Sequence, residues 1–163
     1  MKNATRKLPV LLFLLFSATL AHAASCLVVS VSDGDTLSVV CGNRQRRVKV
    51  RLAGIDAPEL RQRYGHAAKK SLAALCHRKT AEILVQDIDA YGRAVGQVFC
   101  AGIDAGAAQV KSGLAWSYRR YLKTPYLLDL ENEARRQRRG LWAAANPLPP
   151  WTWRRLKARR GYR

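Results

Sequence analysis

Acidic residues are scarce in this sequence, which carries 11 Asp and Glu against 29 Lys and Arg and has a formal net charge of +18 at pH 7. A CxxC pair and the Cys/His spacing of zinc sites are both absent, so the pattern does not support a zinc cluster. No apolar run reaches the roughly 20 residues that a membrane-spanning helix needs. These absences argue against zinc modules and membrane spans, and the charge balance points to an acidic partner.

The first 23 residues have the pattern of a secretory signal peptide. Three basic residues precede an apolar run, Leu8–Leu20, and the small-residue end Ala21-His22-Ala23. We predict cleavage after Ala23 and a secreted or periplasmic protein without a stable membrane span, with a retained N-terminal anchor as the alternative. The segment carries no acid, so the rest of the chain keeps about +15. That length fits one domain, and a monomer is expected.

Four cysteines lie beyond the signal segment: Cys26, Cys41, Cys76 and Cys100. In an oxidising compartment an even number favours two disulfides, for which three connectivities exist. If the Asp-Gly pair at 33 and 34 is a hairpin tip, the first two cysteines lie about equally far down its arms and can face each other. This geometry favours Cys26–Cys41 with Cys76–Cys100 and leaves the other pairings open.

Short Val-rich segments predict a β meander from about residue 26 to 53, with turns at Asp-Gly and Gly42-Asn43. A helix is predicted over 64–77, two further strands over 81–88 and 94–102, and helices near 104–111 and 126–139. Five strands with these helices indicate an α+β fold, a five-stranded OB-type Greek-key barrel. The domain is predicted over 24–145, followed by a basic, Trp- and Arg-rich tail over 146–163.

Four of the eleven acids fall in one short window, Asp33, Asp35, Asp56 and Glu59, all at predicted strand ends or turns. Converging carboxylates make a hard-oxygen site that suits Ca²⁺ or Mg²⁺. Any one of these acids alone is better explained as a turn former or a loop cap.

Two arginines accompany the carboxylates, Arg51 on the polar face of the third strand and Arg93 in the turn "DAYGR". A guanidinium matches two phosphate oxygens at once and keeps its charge near pH 7. With a divalent cation and a spare carboxylate, the set has the parts needed for attack of water on a phosphodiester.

The motifs "VSDGDT", "VRLAGIDAPE", "AYGRAVG", "SGLAW" and "GLW" resemble, in order and spacing, the thermonuclease family of staphylococcal-nuclease-like domains. The resemblance covers about residues 28–142. It implies an OB-fold barrel with about three α-helices and a Ca²⁺-dependent endonuclease that acts on DNA and RNA and leaves 3′-phosphate ends.

Carried over by position, the resemblance implies a role for each residue of the set. Asp35 and Asp56 would be the Ca²⁺ carboxylates, with the backbone carbonyl of Ala57 as a further ligand. Arg51 and Arg93 would clamp the scissile phosphate. The remaining carboxylate, Glu59, would be the general base. Asp33 would shape the turn with Gly34, for which we expect a positive φ.

Aromatic residues are expected to complete substrate binding. Tyr91, Tyr118 and Tyr121 resemble positions that line the nucleotide pocket of the family. In the tail, Trp151 and Trp153 are interleaved with arginines, so they either stack on bases or pack on the domain. The alternatives to a nuclease are a non-catalytic OB-fold module that binds nucleic acid or another polyanion, and a basic protein held at an anionic envelope surface.

Overall fold

A computed structural model describes residues 24–42, 46–119, 125–159 and 161. The signal segment and Asn43 therefore lie outside the described residues. The strands are β1 (Ala24–Val31), β2 (Thr36–Cys41), β3 (Arg46–Leu52), β4 (Ile55–Asp56), β5 (Thr80–Ile88), β6 (Ala94–Cys100), β7 (Ile103–Asp104) and β8 (Trp116–Ser117). The α-helices are α1 (Gly65–Cys76), α2 (Ala105–Lys111), α3 (Tyr126–Arg136) and α4 (Pro150–Arg159), and a 3₁₀ turn covers Gly140–Ala143.

The five long strands form the predicted barrel. They pair in the order β3-β2-β1-β5-β6, and a parallel pairing of β3 with β6 closes the sheet on itself. Along β3, Val50 and Leu52 are buried inside the barrel while Lys49 is exposed, as period-two alternation requires. The α+β class and the five-stranded OB-type barrel are thus confirmed, with four α-helices where about three were expected.

Both favoured disulfides are present. Cys26 and Cys41 face each other across the β1–β2 pair, and Cys76 at the end of α1 is bonded to Cys100 at the end of β6. All four cysteines of the sequence are therefore oxidised. One bond ties the two arms of the first hairpin together, and the other fastens α1 to the barrel.

The basic tail contains a helix that the sequence did not predict. The proline-rich segment "NPLPP" suggests irregular structure, yet Pro150 occupies the first position of α4, where a missing N–H costs nothing. Trp151 packs against the Trp116 and Tyr118 rings, so this tryptophan contacts the domain, as one of the two alternatives held. None of the helices in the described part of the chain has the length and apolar content that a bilayer crossing requires.

Candidate active site

The tip of the β1–β2 hairpin is built as expected in one respect and differently in another. The Asp33 carboxylate accepts a hydrogen bond of 3.0 Å from the Asp35 backbone N–H, which shapes the turn. The expected positive φ at Gly34 is wrong, because this residue is not among those with positive φ. Glycine is required there for space, since a Cβ would lie 2.5 Å from the Ala68 Cβ and 2.7 Å from the Ala57 Cβ.

Asp35 joins the hairpin to the segment that follows β4. Its Oδ2 accepts a 2.9 Å bond from the Ala57 backbone N–H, and its Oδ1 accepts a 2.9 Å bond from the Thr36 hydroxyl. Both Asp35 and Ala57 are buried. The structure therefore brings the Asp35 carboxylate to the backbone of Ala57, 22 residues away in sequence. This contact uses the Ala57 N–H and not the carbonyl that is predicted to bind the metal.

The Asp56 carboxylate lies between two guanidinium groups and is only 1% exposed. Arg51 Nη2 donates to Asp56 Oδ1 at 2.9 Å and lies 3.8 Å from Asp35 Oδ2. From the other side, Arg154 Nη2 donates to Asp56 Oδ2 at 2.7 Å. Arg154 Nη1 also donates to Glu59 Oε1 at 2.8 Å. One basic residue of α4 thus bridges the predicted metal ligand and the predicted general base.

Burial and charge compete in this cluster. Burial raises the pKa of Asp56, helped by the charge of Asp35 and opposed by Arg154 and Arg51. Burial and the neighbouring Asp35 raise the pKa of Asp33 to about 6. For Arg154, burial acts to lower the pKa, but hydrogen bonds to Asp56 and Glu59 outweigh it and the pKa is raised. The guanidinium is therefore held charged where negative charge is concentrated.

The two predicted phosphate-binding arginines line one cavity of about 570 Å³. Arg51 pairs with Val95 across the parallel β3–β6 contact, and alternation places Arg93 on the same face of the chain as Val95. Arg93 Nε donates to Asp89 Oδ2 at 2.7 Å, so Asp89 fixes its direction. Burial acts to raise the pKa of Asp89, but hydrogen bonds from Arg93 and Tyr91 outweigh it and the pKa is lowered.

Two of the three predicted aromatic residues line the same cavity. Tyr91 is 85% exposed, and the Arg93 guanidinium lies 5.5 Å from its ring centroid. Tyr118 is stacked on Trp151 with ring centroids 5.5 Å apart. The third residue, Tyr121, lies outside the described residues. An exposed aromatic beside two arginines can hold a nucleotide by stacking and charge together.

The donor set fits a hard divalent cation. Asp35 and Asp56 carry carboxylate oxygens of the type that Ca²⁺ prefers, and Arg51 Nη2 lies 3.8 Å from Asp35 Oδ2 and 2.9 Å from Asp56 Oδ1. Among the described residues no group of three His, Cys, Asp or Glu side chains is arranged to hold a metal. Two carboxylates would therefore be the only charged ligands from these residues, and a bound cation would need further oxygens from the backbone, water or substrate.

Three residues of the site escaped the sequence predictions: Arg154, Asp89 and Gln109. Arg154 follows Asp56 by 98 residues, so no local spacing links them. Asp89 lies four residues before Arg93 in the turn "DAYGR", a proximity that could have suggested the pair. Gln109, fully buried in α2, donates to the carbonyls of Gly34 and Ala68 and thereby fixes the hairpin tip on α1.

Comparison with known proteins found a matching family model and several similar proteins. Residues 49–144 match the family model described as "Staphylococcal nuclease homologue". A protein of Escherichia coli O157:H7 named "Uncharacterized endonuclease" is 40% identical over 151 residues, which is 92% of this chain and 97% of that protein. A protein of Haemophilus influenzae with the same name is 38% identical, covering 90% of this chain and 82% of its own length. The "Micrococcal nuclease" of Shigella flexneri is 42% identical, covering 78% and 79% of the two chains.

Proposed function

Because the chain belongs to the staphylococcal nuclease homologue family, we propose that it is a Ca²⁺-dependent endonuclease that hydrolyses phosphodiester bonds of DNA and RNA and leaves 3′-phosphate ends. One observation carries this proposal: Asp35, Ala57, Asp56 and Arg51 are linked by hydrogen bonds in one cluster. Arg51 also lines a cavity together with Arg93. Carboxylates for a cation and guanidinium groups for a phosphate are thus side by side.

In this mechanism Asp35, Asp56 and the Ala57 carbonyl would hold Ca²⁺. When bound, the ion supplies positive charge against the negative charge that grows on the phosphate oxygens. Glu59, whose side chain is 42% exposed, accepts the proton of the attacking water. Glu59 is placed by the chain around it, because its backbone N–H donates to the Gln62 side chain at 3.3 Å.

The two arginines bind the scissile phosphate from different parts of the barrel, Arg51 from β3 and Arg93 from the turn before β6. Arg51 is oriented by its bonds to the Ile55 carbonyl and to Asp56, both 2.9 Å long. Arg93 is oriented by Asp89. Because both side chains are directed before substrate arrives, little ordering is needed when the phosphate binds.

Substrate binding outside the reaction centre is assigned to net charge and to Tyr91, Tyr118 and Tyr121. A protein with a formal charge of +18, or about +15 without its signal segment, gains affinity for nucleic acid by releasing counterions. We further propose that the protein is secreted or periplasmic. The signal-peptide pattern supports this location, as do the two disulfides, which form in oxidising compartments.

The test is cleavage of plasmid DNA and of RNA by the mature protein, in Ca²⁺ and in excess chelator. We expect cleavage only with Ca²⁺, and products that polymerase extends only after phosphatase treatment.

Glu59→Gln should lower kcat by about 10²- to 10⁴-fold, the usual contribution of a general base. The matched control is Glu82→Gln, an exposed glutamate of β5, which should cleave like the parent. Parent-like cleavage by Glu59→Gln, or cleavage that persists in chelator, would contradict the mechanism. Nucleic-acid binding without any cleavage would indicate the non-catalytic alternative.

A further inference from the structure

Arg154 occupies the oxygens that the proposed reaction requires. Its Nη2 lies 2.7 Å from Asp56 Oδ2, and its Nη1 lies 3.3 Å from Asp56 Oδ1 and 2.8 Å from Glu59 Oε1. A buried carboxylate needs a compensating positive charge, and Arg154 supplies one together with Arg51. The guanidinium therefore has, at this carboxylate, the charge-balancing role that a divalent cation would also have.

The rest of α4 holds this arginine in place. Trp151 stacks on Tyr118 and meets the Trp116 ring edge-on, with 5.5 Å between ring centroids in both pairs. Just before the helix, the Leu148 carbonyl accepts a 2.5 Å hydrogen bond from the Gln62 side chain. The Arg154 side chain is nevertheless 44% exposed, so it can leave the carboxylates while the aromatic contacts persist.

We propose that Arg154 is an internal cation that competes with the divalent metal for Asp56 and holds Glu59 until the metal displaces it. The inference rests on the proposed metal-binding role of Asp56. Two contacts give the competition its effect. The fork contacts both oxygens of Asp56, and its bond to Glu59 occupies an oxygen that the attacking water would need. The C-terminal helix is thus an autoinhibitory element that keeps the site closed when the metal is scarce.

Calcium affinity measured by isothermal titration calorimetry on the mature, full-length chain tests this competition. Arg154→Gln removes the fork, and it should bind Ca²⁺ about tenfold more tightly than the parent, the effect expected for one charge-assisted hydrogen bond. Arg154→Lys keeps the charge but cannot reproduce the planar fork, so it should show a smaller gain. Arg155→Gln changes the net charge equally on the same helix. Arg155 forms no ion pair with any described residue, so this control should bind Ca²⁺ like the parent.

Thermal unfolding of the same variants gives a second measurement and checks folding. In chelator, Arg154→Gln should unfold at a lower temperature than the parent, because Arg51 is then the one described residue that balances the charge of Asp56. Added Ca²⁺ should raise the Tm of this variant more than that of the parent.

Two results would overturn the competition while leaving the proposed function intact. One is Ca²⁺ affinity like that of the parent in both Arg154 variants. The other is an equal gain in Ca²⁺ affinity in Arg155→Gln, because loss of positive charge in general would then explain the effect. Absence of Ca²⁺ binding in every variant, together with absence of cleavage, would overturn the proposed function and this inference with it.

Discussion

Removing the Cys76–Cys100 bond is expected to cost more stability than removing Cys26–Cys41. The bonds close loops with sequence separations of 24 and 15 residues. Loop-closure entropy in the unfolded chain then gives about 3.5 kcal/mol for the longer loop and about 3 kcal/mol for the shorter. A loss of about 3.5 kcal/mol lowers Tm by roughly 10 °C in a domain of this size.

The assay is chemical unfolding of the parent and of two paired variants, Cys76→Ala/Cys100→Ala and Cys26→Ala/Cys41→Ala. The first pair should lose slightly more unfolding free energy, and reductant should bring the parent towards the variants. The proposed nuclease activity should survive well below Tm in Cys26→Ala/Cys41→Ala, because the Cys26–Cys41 bond lies at the opposite end of the hairpin from Asp35. Unfolding free energies within about 0.5 kcal/mol of the parent would refute the reasoning, as would free thiols in protein recovered from the periplasm.

Three further predictions concern the site and the tail. Arg51→Lys keeps the charge but loses the fork, so kcat at saturating Ca²⁺ should fall about tenfold to a hundredfold; steady-state kinetics that match the parent would contradict the proposed role. Asp89→Asn should unfold at a lower temperature than the parent at neutral pH. The pKa of Asp89 is lowered in the folded protein, so its ion pair with Arg93 stabilises the fold at any pH above the ordinary pKa of an aspartate. That deficit should vanish as the pH falls through the folded-state pKa, and a deficit that stays constant across the whole acid range would show a different cause. Deleting residues 146–163 should reduce the slope of log affinity against log salt for nucleic acid by about 0.9 for each phosphate that the tail neutralises, and an unchanged slope would exclude the tail from binding.

Local patterns explain why much of the barrel and the central set could be predicted. Asp33 and Asp35 frame one turn, and Arg51, Asp56 and Glu59 lie within nine consecutive residues at the end of one strand. Because these residues are close in sequence, the local strand and turn bring their side chains close together. The first hairpin also fixes its own disulfide, because pairing of its arms brings the two cysteines face to face.

What escaped prediction depends on contacts between distant parts of the chain. The Arg154 contact with Asp56 requires α4 to dock on the barrel, and the docking depends on Trp151 meeting Trp116 and Tyr118. The reason for Gly34 is of the same kind. Turn chemistry suggested backbone freedom, whereas the actual constraint is the approach of Ala68 from α1.

The parallel seam between β3 and β6 links catalytic competence to barrel closure. Only three residue pairs form it, from Val50–Ala94 to Leu52–Gly96, and Arg51 lies in the middle pair. We expect local opening of this short seam to separate Arg51 from Arg93 while the antiparallel meander keeps its own hydrogen bonds. Hydrogen exchange at the seam amides should then follow the fraction of molecules in which the two arginines lie side by side. On heating, we expect the proposed activity to fall before the first hairpin unfolds.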